Sequence, residues 1–328
     1  MIKNIAVIGL GSMGKRRIRL IKEKFHDQVK MSGIDIQESR RTEVEKEFSI
    51  CTYSTISESF KEHTIDYVFV CTSPLSHSLI ISECLDYGTH VFTELNLVND
   101  GYELNLQKAK ERNIKIFLSA TFIYRAEPEY ICRKAKNERL QYNYHVGQYL
   151  PDWHPWENYN NYFVSKSRTN ACREIFAIEL PWLIRAFGDI AELDVQKSKI
   201  STLKVDYNDS FSLLVRHKTN VVGTLSVDVV SRKPVRNFEL YGENLYLTWD
   251  GSPSGLQEYN FASKTMHQVS LYNNAVQLDN YATFVVEDAY SNEIDAFFDY
   301  VQKGIEPRYT FEDDKRILSL IDEIEGNK

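Results

Sequence analysis

At 328 residues, with 43% hydrophobic and 26% charged side chains, the chain is long enough for two cores and has a globular balance. A formal net charge of −7 excludes nucleic acid as a natural partner, because backbone phosphates need a basic surface. No apolar run approaches the roughly 18 residues a membrane helix needs, and the five cysteines, odd in number and in no CxxC pair, suit free thiols in the cytoplasm.

The N-terminal run MIKNIAVIGLGSMG is too short and too glycine-punctuated for a signal peptide and lacks a small-residue cleavage site, so it reads as a buried strand. From there to residue 120 two periods alternate. Strands are expected at 5–8, 31–36, 67–71, 90–93 and 115–119, and helices at 13–25, 38–48, 54–61, 75–87 and 100–112. Continuous apolar strands separated by helices imply a doubly wound parallel sheet with helices on both faces. Near Ala120 the pattern changes. A helix at 127–137 and a strand at 142–148 precede an irregular aromatic stretch, 149–163. A helix at 172–187 follows, closed by Gly188. Strand-like runs at 210–217, 221–230, 236–242, 245–250 and 264–271 read as an antiparallel meander, and helices at 287–303 and 311–325 finish the chain. The expected architecture is α/β, with a Rossmann domain over 1–120 and an α/β domain with a large, mostly antiparallel open sheet over 121–328. The last helix is free to pack back on the first domain.

The strongest motif is Gly9-Leu10-Gly11-Ser12-Met13-Gly14, after a strand and at the start of a helix. In that context the first glycine serves a tight turn, the second lets backbone approach a pyrophosphate, and the third brings helix and strand together. Unpaired amides at the helix start attract the anion. Asp35, about 20 residues on, suits the ribose hydroxyls and repels a 2′-phosphate, which favours NAD; Arg40 and Arg41 keep NADP open. The basic run Lys15, Arg16, Arg17 and Arg19 is expected to be a solvated helix face rather than a phosphate site. The eight histidines form no HxxxH or HExxH pair, so no metal site is expected.

On these residues the chain resembles the Gfo/Idh/MocA oxidoreductases, the family of glucose–fructose oxidoreductase and inositol dehydrogenase. Thr72-Ser73-Pro74 with His77 resembles the family's T-P-x-x-x-H turn, which implies a place beside the nicotinamide ribose. Glu94-Leu95-Asn96 falls where the family has E-K-P. The stretch 120–128, with Arg125, resembles the crossing into the second domain, and Leu150-Pro151-Asp152-Trp153-His154-Pro155-Trp156 resembles a segment of sugar-pathway members. Residues 179–188 resemble the family's H-E-L-D-Y-L-x-W-L-F-G helix. The resemblance implies hydride transfer between a pyridine nucleotide and a sugar, sugar nucleotide or polyol, with assembly as a homodimer or homotetramer.

The departures concern proton transfer, which needs a group of tunable pKa within reach. The family's lysine position holds Leu95, its histidine position Ile178, its following aspartate position Pro181 and its preceding aspartate position Ile175. Glu174, one turn before Ile178 on the same helix face, Lys166 and His154 are the replacement candidates; Arg168, Tyr149 and Tyr124 are further ones. For each there is a plainer role: an Arg173–Glu174 ion pair, solvated loop cations, a packed histidine. Arg125, Tyr149, Trp153 and Arg173 are expected to meet substrate, and Ser12, Met13 and Glu94 to line the cofactor with the glycines. The aromatic stretch suits sugar stacking or a subunit interface equally. Three functions follow: an NAD(P)-dependent sugar oxidoreductase with an altered proton relay, an enzyme using its cofactor transiently with no net redox, or an inactive member that binds dinucleotide or sugar as a sensor or assembly partner.

Overall fold

The computed structural model describes residues 3–136, 138–155, 157–272 and 286–326. The chain divides into two units, Met1–Ala120 with Tyr290–Lys315, and Thr121–Ala289 with Arg316–Lys328.

In the first unit, strands β1 (Lys3–Ile8), β2 (Val29–Ile34), β3 (Cys51–Tyr53), β4 (Tyr67–Val70), β5 (His90–Thr93) and β6 (Ile116–Leu118) form a parallel sheet in the order β3-β2-β1-β4-β5-β6. Helices α1 (Ser12–Phe25), α2 (Glu38–Phe48), α3 (Ile56–Glu62), α4 (Pro74–Asp86) and α5 (Tyr102–Glu111) connect them. Ile5, Ala6, Val7, Val68, Phe69, Val70, Val91 and Phe92 are buried, as strands covered on both faces require. The order reverses between β1 and β4, and ligands of such sheets bind at the carboxyl ends of the strands at that reversal. β3 escapes the sequence reading because three residues, Cys51-Thr52-Tyr53, carry no period.

In the second unit α6 (Ala126–Lys134) leads to β7 (Leu140–Gly147). Short 3-10 turns then occupy most of 150–169 up to α7 (Ala171–Phe187). Strands β8 (Ile190–Ser198), β9 (Ser210–His217), β10 (Val222–Asp228), β11 (Val235–Gly242), β12 (Tyr246–Trp249), β13 (Gln257–Asn260) and β14 (Thr265–Gln268) complete an eight-stranded sheet, in the order β14-β13-β12-β11-β7-β10-β9-β8. Among the described residues of this sheet, only the β7–β10 pairing is parallel. β8 is mostly exposed, β13 is short, polar and half exposed, and hydrophobic alternation did not mark either. Tyr142 and Tyr144 of β7 face Phe187 and Trp182 of α7, with ring centroids 5.0 and 5.6 Å apart. α8 (Glu287–Lys303) and α9 (Phe311–Glu325) close the chain, and no described helix is long and apolar enough to cross a membrane. Trp156 and Asn137 lie outside the described residues.

Candidate functional site

The glycine turn sits between β1 and α1, and its three glycines answer different demands. Gly9 has φ +92°, and a Cβ there would lie 2.7 Å from the Cys71 carbonyl oxygen. A Cβ on Gly14 would lie 1.9 Å from the Gly9 carbonyl oxygen. Both are therefore dictated by the chain's own packing. At Gly11 the nearest atom to a Cβ is an Arg40 guanidinium nitrogen at 3.9 Å, so the chain itself leaves this space free. Gly11 also N-caps α1 without any side-chain cap, and the first turn carries no acidic residue, leaving its amides for an anion.

Asp35 reaches back to this turn. Its two carboxylate oxygens accept from the Leu10 and Gln37 amides, each at 2.8 Å, with the Arg40 guanidinium 3.7 Å from one of them. Arg41 donates to the Asp35 carbonyl oxygen at 2.8 Å. On the other side of the sheet reversal, a Gly9 Cβ would be 2.9 Å from the Thr72 methyl, so the Thr72-Ser73-Pro74 turn abuts the glycine turn. Ser73 and Pro74 start α4 without a side-chain cap. His77 is buried, and its ring nitrogens meet the Asn96 amide at 2.5 Å and the Thr72 carbonyl at 2.9 Å. Burial pulls the imidazole below its usual range, against the hydrogen bonds of Asn96 and Thr72.

The basic run of α1 is not a solvated face. Arg17 is fully buried, donating to Glu94 at 2.6 and 3.2 Å and to Glu293 at 2.7 Å. Burial alone would lower this guanidinium, but the charges of Glu94 and Glu293 outweigh it and hold it raised. Glu293 in turn accepts from the Ser119 hydroxyl and the Ala120 amide at 2.9 and 2.8 Å. Glu94, expected at the cofactor, thus has a bidentate partner in α1, and next to it Leu95 offers only a half-buried apolar side chain.

In the second unit two expected substrate residues have internal partners. Arg125 pairs with buried Glu127 at 2.7 Å, donates to the Gly251 carbonyl at 3.1 Å and lies 4.9 Å over the Trp249 ring. Arg173 pairs with Glu325 at 2.6 Å and Asp322 at 2.8 Å, not with Glu174. Both are braces in this arrangement: a buried guanidinium needs fixed carboxylates. Glu179 is likewise a brace, accepting from Tyr144 (2.6 Å), Trp182 (2.7 Å) and Arg236 (2.7 and 3.0 Å).

Glu174 differs from these. Along 171–183 every residue of α7 is buried except Glu174 and Ile178, which are partly accessible and share one face. Burial pushes the Glu174 carboxyl up to about 7. Among the described residues Tyr162 is the acid that feels it: burial raises the Tyr162 phenol, and the Glu174 charge raises it further. The Tyr162 hydroxyl is buried without a hydrogen-bond partner among the described residues. Its ring stacks on His154, with centroids 4.7 Å apart. Burial lowers the His154 imidazole against the opposing charge of Glu157, which lies 3.9 Å away. Tyr162, a residue the sequence reading held only as one aromatic among many, thus stacks on one sequence candidate, His154, and feels the charge of another, Glu174. Lys166 and Arg168 are exposed, Tyr124 is buried, Trp153 donates to the Gln148 carbonyl at 3.1 Å, and Tyr149 carries the Arg232 guanidinium 3.6 Å over its ring.

Residues 3–112 match the family described as an oxidoreductase family with an NAD-binding Rossmann fold, GFO_IDH_MocA. Over that third of its length the chain is similar to the Gfo/Idh/MocA oxidoreductases. The matched region is the family's NAD-binding Rossmann fold. No curated protein matches the chain in sequence. Solved structures do match in fold. An Agrobacterium radiobacter oxidoreductase in complex with NAD+, L-tartaric acid and magnesium superposes with TM-score 0.82 at 13% identity, over 100% of this chain and 97% of that one. Levoglucosan dehydrogenase with NADH gives TM-score 0.78 at 16% identity, over 100% and 96%. The UDP-N-acetylglucosamine 3-dehydrogenase of Acidithiobacillus ferrooxidans gives TM-score 0.74 at 14% identity, over 99% and 97%. At these identities the likeness is one of fold.

Proposed function

We propose that the protein is an NAD-dependent oxidoreductase acting on a hydroxyl of a sugar or sugar nucleotide, with Glu174 as its proton carrier in place of the family's histidine. The observation that carries this reading is the accessible stripe of α7. The family's histidine position, Ile178, cannot titrate, while Glu174, one turn earlier on the same face, has a carboxyl poised near neutrality.

The cofactor residues fit a dinucleotide. The room left at Gly11 and the uncapped amides of α1 suit a pyrophosphate, and the Asp35 carboxylate, fixed by Leu10 and Gln37, suits a ribose. Ser12, Met13, the 72–74 turn and His77 complete the set, with Glu94 holding its place through Arg17. When bound, NAD supplies the hydride acceptor. The substrate's C–H bond breaks as its C=O forms, and the hydroxyl proton passes to the Glu174 carboxylate. A carboxyl near 7 takes that proton and releases it again at neutral pH. The Tyr162 hydroxyl supplies a hydrogen bond to the sugar or to Glu174, and Tyr149, Trp153 and His154 offer ring faces for sugar C–H groups. Lys166 is an exposed cation directly after the Phe163–Ser165 turn. The free thiols of all five cysteines agree with a reducing cytoplasm. Assembly as a homodimer or homotetramer uses the outer face of the large sheet, where Asn143, His145, Thr224, Ser226, Asn237 and Glu239 line a shallow cavity of about 600 Å³.

The deciding experiment follows the nicotinamide absorbance of wild type and Glu174→Gln across a panel of sugars and UDP-sugars. Turnover by the wild type that the variant loses supports the reading, and equal turnover by both removes Glu174 from it. Leu95 and Pro181 favour a second reading, the ligand-binding member without redox turnover, because neither can move a proton. Firm NAD binding with no turnover on any substrate would select it.

A further inference from the structure

A line of buried polar side chains runs through the first unit and ends at the 72–74 turn. It starts at Asp314, in the first turn of α9, which is fully buried and accepts from the hydroxyls of Tyr102 and of Tyr309, the latter at 2.8 Å. The Tyr102 hydroxyl, at the start of α5, also receives the Asn96 amide at 2.8 Å. The other end of that amide meets His77 at 2.5 Å, and the opposite ring nitrogen of His77 lies 2.9 Å from the Thr72 carbonyl. The Asn96 Oδ1 and the Thr72 carbonyl oxygen can each only accept, so the imidazole donates to whichever of them its protonated nitrogen faces. The Thr93 hydroxyl, 3.2 Å from Nδ1, is the remaining partner of the ring. His77, Asn96, Tyr102 and Asp314 are each at most 6% exposed, so no water competes along the line.

We propose that Asp314 is a positioning residue for the cofactor: through Tyr102, Asn96 and His77 it fixes the Thr72 carbonyl and with it the turn that opens α4. Packing does not require this line. Apolar side chains such as the neighbouring Ile81, Val98 and Phe311 would fill the space as well, and a buried carboxylate is costly without its full set of donors. What polar links add is direction. Each holds its partners in one orientation, so rotation at one end is resisted at the other. Asn96 is the pivotal link. It stands where the resembling family has a proline, whose side chain could join neither His77 nor Tyr102. The inference rests on the reading that the 72–74 turn faces the cofactor.

The structure also supplies its own control. Tyr102 and Tyr309 are both bonded to Asp314, but only Tyr102 is on the line to His77. Tyr102→Phe keeps the ring against Phe311, whose centroid is 4.9 Å away, and removes only the link. The test is NAD binding by calorimetry together with the exchange rate of the His77 ring N–H proton by NMR. Tyr102→Phe and Asp314→Asn are each expected to weaken NAD roughly two- to tenfold, the worth of one hydrogen bond, and to speed His77 proton exchange. The double variant is expected to be no worse than the poorer single. Tyr309→Phe is expected to leave both readouts at wild-type values. Equal effects of Tyr102→Phe and Tyr309→Phe, or additive losses in the double variant, would reduce the line to ordinary core structure and overturn the proposal. Gly11→Val separates the underlying reading: if it abolishes NAD binding while Tyr102→Phe changes nothing, the positioning role fails and the cofactor site stands. If Gly11→Val also leaves binding intact, the cofactor reading itself fails.

Discussion

Replacing Glu174 by Gln is expected to make the protein more stable at alkaline pH while removing its activity. The carboxyl moves from an ordinary value of 4.5 to about 7, and the whole cause is burial. A displacement of that size corresponds to about 3 kcal/mol against the ionised form. The side chain is partly accessible, so solvent screening brings the expectation to about 1–3 kcal/mol. The folded state holds this proton more tightly than the unfolded chain. The penalty is therefore absent below about pH 4.5, grows as pH rises to about 7 and is constant above. Gln carries no such penalty. Urea denaturation at a series of pH values is expected to show variant and wild type alike under acid conditions, with the variant gaining the full difference by pH ~8. The same substitution is expected to lower kcat/KM by about 10²- to 10⁴-fold, the usual worth of a positioned acid–base group. A stability difference that does not change with pH, or a variant less stable than wild type in alkali, would refute the desolvated carboxylate and with it the proton-carrier role.

Arg40→Ala removes the cation 3.7 Å from Asp35, and titration with both dinucleotides is expected to show NADP weakened up to about fivefold more than NAD; an unchanged ratio places Arg40 outside the ribose subsite. Glu179→Gln strips buried Arg236 of its counter-charge and is expected to cost about 3–5 kcal/mol in urea denaturation; a loss below about 1 kcal/mol would contradict the brace. Leu95→Lys restores the family's lysine, yet simple polyols are expected to stay unreactive, because the proton already passes to Glu174 and a lysine in place of Leu95 adds no second carrier at Ile178 or Pro181. Polyol-dependent reduction of NAD by that variant would show that the lysine position alone was limiting.

The Rossmann half was legible because its signals are local: apolar strands, the glycine turn and Asp35 each report their own surroundings. Helices α2, α8 and α9 and strands β5 and β9 begin and end where the period and the caps put them. Three strands were not legible, for physical reasons already visible in their residues. β3 is too short to carry a period, and β8 and β13 are edge-side strands whose exposed polar residues do not alternate in hydropathy. Nor does an amphipathic helix state which core it covers, so the assignment of 290–315 to the first unit could not be read from α8 or α9. At the site, residue type alone misjudged the cations. Arg17 looks like one charge in a basic run, and only the fold brings Glu94 and Glu293 to it from 77 and 276 residues away. Arg125 and Arg173 look like substrate anchors until Glu127 and Glu325 are placed beside them. Tyr162 and Asn96 carried no motif; their roles come from contacts with His154 and from the line between His77 and Tyr102.

The central claim is that the glycine turn at the start of α1 holds a dinucleotide, and calorimetric titration of the intact protein with NAD tests it most directly. One NAD per chain is expected, with the heat lost in Gly11→Val, where a branched side chain fills the only glycine position of the turn that internal packing leaves open. Absence of heat with both NAD and NADP, or undiminished binding by Gly11→Val, would contradict the account.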